Sequence, residues 1–179
     1  MMTLKEYLDS DRMDYFPPLS KGWLLDWLLK TEQYWIRKYM KALRKEEFYT
    51  AYKKNRLLKY YYFRKKNILG VRLGFFISAG CFDAGLKIYH YGSIIVNPKS
   101  RIGKNCTIHG TCCIGSKGTF PDDSPVIGDN VDIGQNAQIL GGIIIADGVK
   151  IGAGAVVLKS VLQQGVTVVG VPARILEKQ

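Results

Sequence analysis

The C-terminal half of the chain repeats aliphatic and small residues on a period of six. Reading onward from Val96, the hexads are VNPKSR, IGKNCT, IHGTCC and IGSKGT, then, after an interruption, IGDNVD, IGQNAQ, ILGGII, IADGVK, IGAGAV and VLKSVL. The first position is aliphatic every time. The fifth is small or apolar in every unit except the one entering the interruption: Ser100, Cys106, Cys112, Val131, Ala137, Ile143, Val149, Ala155 and Val161. The second is most often glycine, which tolerates the left-handed backbone of a tight corner. No helix has a period of six, and the turns of an ordinary sandwich fall about every 8–12 residues. The pattern therefore predicts a mainly β, triangular coil in which each hexad forms one short strand and one corner, with positions one and five pointing inward. Three hexads complete one coil, and about four coils stack through parallel pairing.

The N-terminal third reads differently. From Gly22 to about Tyr62 apolar residues recur at spacings of three and four, among them Trp23, Trp27, Tyr34, Ile36, Tyr39, Met40 and Leu43. Ser20 is the expected N-cap, and Pro17-Pro18 blocks any helix running in from upstream. Two or three helices are expected before residue 66, with their aromatic residues packing helix on helix or against a neighbouring subunit. Near Asn67 glutamate disappears and glycine and β-branched residues take over. The expected division is an α-helical region over 1–66 and a β-helical domain over 67–179, a length that suits a solenoid with a small appended domain.

Composition narrows the function classes. No run of eighteen apolar residues is present, and the N-terminus has no secretion-signal pattern, so a cytoplasmic protein is expected. The four cysteines lack metal-ligand spacing, and two histidines cannot form a three-histidine zinc site within one chain, so no metal is expected. The net charge of +11 is concentrated in Arg37 to Lys66, with twelve basic residues against Glu46 and Glu47. Such a segment can meet an anionic membrane, nucleic acid or only water. No nucleic-acid recognition motif accompanies it, and no nucleic-acid partner is expected.

Two features depart from the repeat. The segment SKGTFPDDSP, Ser116 to Pro125, breaks the register by one residue and reads as an exposed loop, the kind of place where a rigid solenoid carries substrate contacts. His90, in HYGSIIV, stands by the repeat count at a first position, where an inward aliphatic is expected.

The hexads, the HYG segment, the loop and the ending GVPARIL together resemble the hexapeptide-repeat acyltransferases, over about half of the chain. The stretch from His90 onward resembles serine O-acetyltransferases and the sugar O-acetyltransferases of polysaccharide gene clusters. The resemblance implies a left-handed parallel β-helix, acetyl-CoA as co-substrate and a homotrimer with active sites between prisms, paired into a dimer of trimers through the helices. It also implies that His90 is the general base, a role suited to an imidazole, which titrates near neutral pH. Asp83 is the candidate to orient its ring. His109, about one coil further on and displaced by one position, and Ser124 are candidate acceptor-binding residues. The family's acyl-CoA positions fall on Gly115, Gln135, Lys150 and Ala153, with Pro172, Ala173 and Arg174 near the nucleotide end. Lys150 and Arg174 would pair with CoA phosphates, and backbone N–H groups near Gly115 would hold the oxyanion.

Two departures bear on the acceptor. Tyr89 precedes His90 where the family has aspartate, and Ser124 precedes Pro125 where serine acetyltransferases have a second histidine. They turn the expectation toward a sugar hydroxyl in surface polysaccharide synthesis, with contact to lipid-linked acceptors at the inner membrane face through the basic helices. The alternatives are a serine O-acetyltransferase of cysteine biosynthesis and a non-catalytic, membrane-associated scaffold. No Ser or Cys has an evident base beside it, so direct transfer without an acyl-enzyme is expected.

Overall fold

The structure, a computed structural model, describes residues 3–9, 11, 21–118 and 123–177. Four helices come first: α1 (Leu4–Asp9), α2 (Lys21–Leu29), α3 (Glu32–Ala51) and α4 (Arg56–Leu73). The expected cap Ser20 and the Pro17-Pro18 block lie outside the described residues. Helix α3 is capped by Thr31, whose hydroxyl accepts from the Tyr34 N–H at 3.5 Å. It buries Ile36, Tyr39, Met40 and Leu43, the spacing of one helical face. Helix α4 is capped by Asn55, which accepts from Leu58 N–H at 3.0 Å, and ends at the left-handed Gly74.

The expected boundary at 66/67 falls inside α4, which continues to Leu73. Gly70 accounts for the difference. A Cβ there would lie 2.5 Å from the Phe75 carbonyl oxygen and 3.3 Å from the Tyr39 ring, so this glycine marks helix against strand rather than the start of β-structure. Part of the basic run also turns inward. Arg44, 2% exposed, donates to both Asp11 carboxylate oxygens (2.5 and 2.8 Å), to Glu47 (2.8 Å) and to the carbonyls of Phe82 and Asp83 (2.9 and 2.7 Å). Lys66 pairs with Glu46 at 2.9 Å. These bonds fasten the helices to the first coil and satisfy charges that burial would otherwise penalise.

Five coils follow. The first holds β1 (Phe75–Phe76) and β2 (Lys87–Ile88), and the second β3 (Ile94–Val96), β4 (Arg101–Ile102) and β5 (Thr107–Ile108). The third holds β6 (Cys112–Gly115), β7 (Val126–Ile127) and β8 (Asp132–Ile133), and the fourth β9 (Gln138–Leu140), β10 (Ile144–Ile145) and β11 (Lys150–Ile151). The fifth holds β12 (Val156–Val157) and β13 (Thr167–Val169), on which β14 (Arg174–Ile175) lies antiparallel. Parallel pairing stacks them into three faces: β1-β3-β6-β9-β12, then β4-β7-β10, then β2-β5-β8-β11-β13. The predicted inward positions are buried, from Val96, Ile102 and Ile108 through Ile151 and Val157, with Cys106, Val131, Ala137, Val149 and Ala155 beside them. The coil count exceeds the expected four because the first coil, which carries β1, lies upstream of the hexads.

The corner glycines also differ from expectation. None of the second-position glycines is left-handed; most left-handed residues of the hexads are at the fourth position, as at Asn136 (φ 61°). Second-position Gly134 is needed for space, since a Cβ would lie 2.6 Å from Ala153 N on the next coil. Among the described residues no helix is long and apolar enough to cross a membrane.

Candidate active site

His90 is not an inward residue. The pairings Ile88 to Ile108 and Ile94 to Cys112 leave five residues between Ile88 and Ile94 but three between Ile108 and Cys112. The extra residues loosen the corner between the third and first faces and turn the His90 side chain outward, 61% exposed. Ile88 takes the inward position instead.

Parallel register places one residue from each coil below His90. Ile88, Ile108, Ile133 and Ile151 are aligned, so two residues further on His90, Gly110, Gln135 and Ala153 form a column along that corner. A Cβ on Gly110 would lie 3.6 Å from both His90 Cβ and Gln135 Cγ, which places this glycine between the two side chains. At about 4.8 Å per coil, the column runs roughly 14 Å from His90 to Ala153. Two of the sequence-predicted cofactor residues, Gln135 and Ala153, are thus brought onto the line of the histidine.

The other candidates lie elsewhere in the chain. Gly115 ends β6 at the opposite edge of the first face, paired with Leu140. Ser124 lies at the same edge, 9% exposed, with its hydroxyl unpartnered among the described residues. Residues 119–122 of the loop between them are outside the described residues, but Asp123 accepts from the Gly142 N–H and folds the loop end back onto the fourth coil. Lys150 points outward from the third face in the column Lys87, Thr107, Asp132, Lys150 and Thr167. Arg174 sits on β14, opposite Val169. His109 aligns with Tyr89 rather than His90, its ring stacked on the tyrosine at 4.8 Å and its Nε2 2.8 Å from Asp132 Oδ1.

The expected orienting role of Asp83 is corrected by the structure. Asp83 belongs to a different corner, where its N–H donates to the Ile102 carbonyl and its own carbonyl accepts from Arg44. The carboxylate at His90 is Glu32, in the first turn of α3. Glu32 Oε2 lies 3.2 Å from His90 Nδ1, and Oε1 accepts from the Tyr91 N–H at 2.6 Å. A carboxylate at Nδ1 favours the tautomer with hydrogen on that nitrogen and leaves the Nε2 lone pair available as a base. Gln33, next to it, donates from Nε2 to the Tyr89 carbonyl at 2.6 Å and ties the same helix end to the same corner. Sequence reasoning missed Glu32 because it lies 58 residues away on another element; its place beside the capping Thr31 was the only local signal.

No thiol competes as a nucleophile in the interior. Burial, and then Cys113 beside it, pushes the Cys112 thiol up to about 12, and burial raises Cys106 as well. Such groups stay protonated near neutral pH.

With that geometry in place, comparison with known proteins identifies the scaffold. Residues 124–159 match the family model described as bacterial transferase hexapeptide (six repeats). The fold is the left-handed β-helix of these transferases. A serine acetyltransferase from Buchnera aphidicola is 33% identical over 102 residues, 56% of this chain and 39% of that protein. One from Staphylococcus xylosus is 40% identical over 94 residues, 52% of this chain and 43% of that protein. The chain thus spans less than half the length of these two curated relatives. Among solved structures, soybean serine acetyltransferase apoenzyme superposes with a TM-score of 0.75 at 27% identity, covering 97% of this chain and 69% of that one. The Neisseria gonorrhoeae serine acetyltransferase gives 0.71 at 27% identity, covering 98% and 65%. The similarity therefore includes the helices as well as the prism. These relatives overturn the expected sugar acceptor: both sequence and structure align with serine acetyltransferases, despite Tyr89 and Ser124.

Proposed function

We propose that this chain transfers an acetyl group from acetyl-CoA to the hydroxyl of L-serine, with His90 as general base. The observation that carries the reading is the exposed His90 imidazole, held at Nδ1 by Glu32 and standing at the head of the column through Gln135 and Ala153. Similarity to proteins named serine acetyltransferase supports the acceptor.

In the mechanism, His90 Nε2 takes the hydroxyl proton as the serine oxygen attacks the thioester carbonyl. The tetrahedral intermediate collapses, the carbon–sulfur bond breaks, and the imidazolium returns the proton to the departing thiolate. Products are O-acetylserine and CoA with a free thiol. Glu32 stabilises the transient imidazolium and fixes the ring. The pantetheine arm would follow the corner column, where Gly110 and Ala153 present little side chain, with the nucleotide toward β14 and Arg174.

Gly115 and Ser124, at the far edge of the first face, fit this site as contributions from a neighbouring subunit. The outward columns support association: Phe76 and Ile95 on the first face and Val126 and Ile144 on the second are exposed and apolar, while the third face is lined with charged and hydroxyl groups. Exposed Leu24, Leu25, Leu28 and Leu29 on α2 extend the apolar surface to the helices. We therefore assign a homotrimer with sites between prisms.

The test is direct. Incubated with acetyl-CoA and L-serine, the protein should release CoA thiol in proportion to serine and accumulate O-acetylserine. Thiol release at the serine-free rate contradicts the reading.

A further inference from the structure

The fold uses only part of the basic run in the helices. Arg44 and Lys66 turn inward to acids, but other cations of the same run face a cleft of about 250 Å³ enclosed by α2, α3 and α4. These are Arg37, Lys38, Lys41 and Lys45 from α3 and Lys65 from α4, and none of the described residues lining the cleft is acidic. Trp23 and Trp27 of α2, Tyr34 of α3 and Tyr62 of α4 supply aromatic walls. The cleft shares no lining residue with the His90 column.

Helical spacing gathers the charges. Tyr34, Lys38, Lys41 and Lys45 follow one another at intervals of four, three and four, which puts them on one face of α3. Arg37 is neutralised, with Nη2 2.6 Å from Asp26 Oδ2. The four lysines have no carboxylate partner among the described residues, and aromatic rings hold three of them instead. Lys38 Nζ stands 4.5 Å from the centre of the Tyr34 ring, and Lys45 Nζ 5.0 Å from that of Tyr62, whose hydroxyl it also reaches at 3.4 Å. Lys65 Nζ lies 5.9 Å from the Tyr61 ring. Lys41, between Lys38 and Lys45, makes no hydrogen bond, ion pair or ring contact among the described residues. The Tyr34 hydroxyl lies below the usual tyrosine range, first through its hydrogen bond with Lys38, with desolvation opposing, and then through the charges of Lys38 and Lys30. A ring face attracts an ammonium group without cancelling its charge, so the lysines around this small cleft repel one another until an anion enters.

We infer that this cleft binds a multiply charged phosphate group, a diphosphate or a phosphomonoester, through Lys38, Lys41, Lys45 and Lys65. Its volume falls below the roughly 300–1,000 Å³ of pockets for drug-sized ligands, so it takes the anionic part of a ligand and not a whole cofactor. Lys38 and Lys45 are about 10 Å apart along the axis of α3, with Lys41 between them and Lys65 on another helix, so the charges surround the space instead of forming one fork. A carboxylate has one charge and two oxygens in a plane, which suits a single guanidinium. A phosphate carries up to two charges and directs acceptor oxygens several ways, which suits several ammonium groups acting as point charges. The phosphate can belong to a soluble ester or to a lipid headgroup. The inference stands apart from the proposed acetyl transfer, since it uses none of the same residues.

Titration calorimetry at constant ionic strength with pyrophosphate, orthophosphate and acetate tests the soluble source. Co-sedimentation with phosphatidylcholine vesicles containing phosphatidic acid, against vesicles of equal surface charge containing phosphatidylserine, tests the lipid source. Pyrophosphate should bind more tightly than orthophosphate and acetate not at all, or phosphatidic acid vesicles should be preferred. Whichever source binds, Lys41→Gln/Lys45→Gln should weaken it by about 10-fold or more, the loss expected for charge-assisted hydrogen bonds. Lys53→Gln/Lys54→Gln removes the same charge from exposed positions outside the cleft and should leave binding in place, as should Lys150→Gln on the prism.

Lys45→Gln also removes the contact with Tyr62, so Lys41→Glu, at an exposed side chain without partners, supplies a second variant that reverses charge and leaves packing alone; it should abolish binding while the thermal midpoint is kept. Binding lost in the lysine variants and retained in Lys53→Gln/Lys54→Gln supports the phosphate site. No binding of either source, equal losses in the two double variants, or a loss in Lys150→Gln with none in Lys41→Glu overturns it.

Discussion

Glu32 and His90 are in contact although they come from different parts of the chain. The carboxylate holds the ring by one oxygen and the adjacent backbone, at Tyr91, by the other. Replacement by glutamine keeps the side-chain length but removes the charge that stabilises the imidazolium. Glu32→Gln should lower kcat by about 10- to 100-fold, less than loss of the base itself, with little effect on the KM for acetyl-CoA. Steady-state thiol release at saturating serine measures this, and a kcat equal to that of the unchanged protein would remove Glu32 from the mechanism. Asp83, the sequence candidate for the same role, shows why spacing alone failed: seven residues along the chain carry it to another corner of the triangle. His90 was legible by its departure from the repeat, but its outward direction was not, because the register change lies in backbone pairing and not in residue type.

At the scale of elements, the hexads made the prism legible in some detail. Every coil repeats the same steric rule, an aliphatic or small residue wherever the backbone turns inward, and that rule is written in residue types. The boundary with α4 was not, since Gly70 serves helix packing while looking like the start of a glycine-rich domain. Gly134 illustrates the packing of one coil on the next. Gly134→Ala places a methyl group against Ala153 N and should cost about 1–3 kcal/mol, measured as a lower midpoint in thermal or denaturant unfolding. A midpoint equal to wild type would mean that the corner relaxes freely.

The attachment of α2 is electrostatic and therefore responds to acid. Burial alone would raise the Asp26 carboxyl, but hydrogen bonds from Thr31 Oγ1 (2.6 Å) and Arg37 Nη2 (2.6 Å), with the guanidinium charge, hold it below its ordinary 3.8. A lowered folded value means that ionised Asp26 stabilises the fold above 3.8 and that this contribution is lost as pH falls through the folded value. Tryptophan fluorescence from Trp23 and Trp27 should change below pH 3.8, and Asp26→Asn should lack that transition. An identical acid profile in both proteins contradicts the assignment.

For the whole molecule, the proposed site is divided across the prism. His90, Gln135 and Ala153 lie on one corner, whereas Gly115 and the loop lie across the first face, and the first and second faces carry exposed apolar side chains. Light scattering after size exclusion should give three or six times the 20.2 kDa chain mass. A monomer that acetylates serine would refute a site shared between subunits. The expectation of a trimer came only from resemblance, because the apolar outward residues lie at hexad positions with no fixed chemical rule.

The central claim is that His90 removes the proton from the acceptor hydroxyl, and its most direct test is serine-dependent CoA thiol release by wild type and His90→Ala, with acetyl-CoA affinity measured on both. The account predicts a fall in kcat of about 10²–10⁴-fold with acetyl-CoA affinity retained. Turnover near wild type in His90→Ala would contradict it.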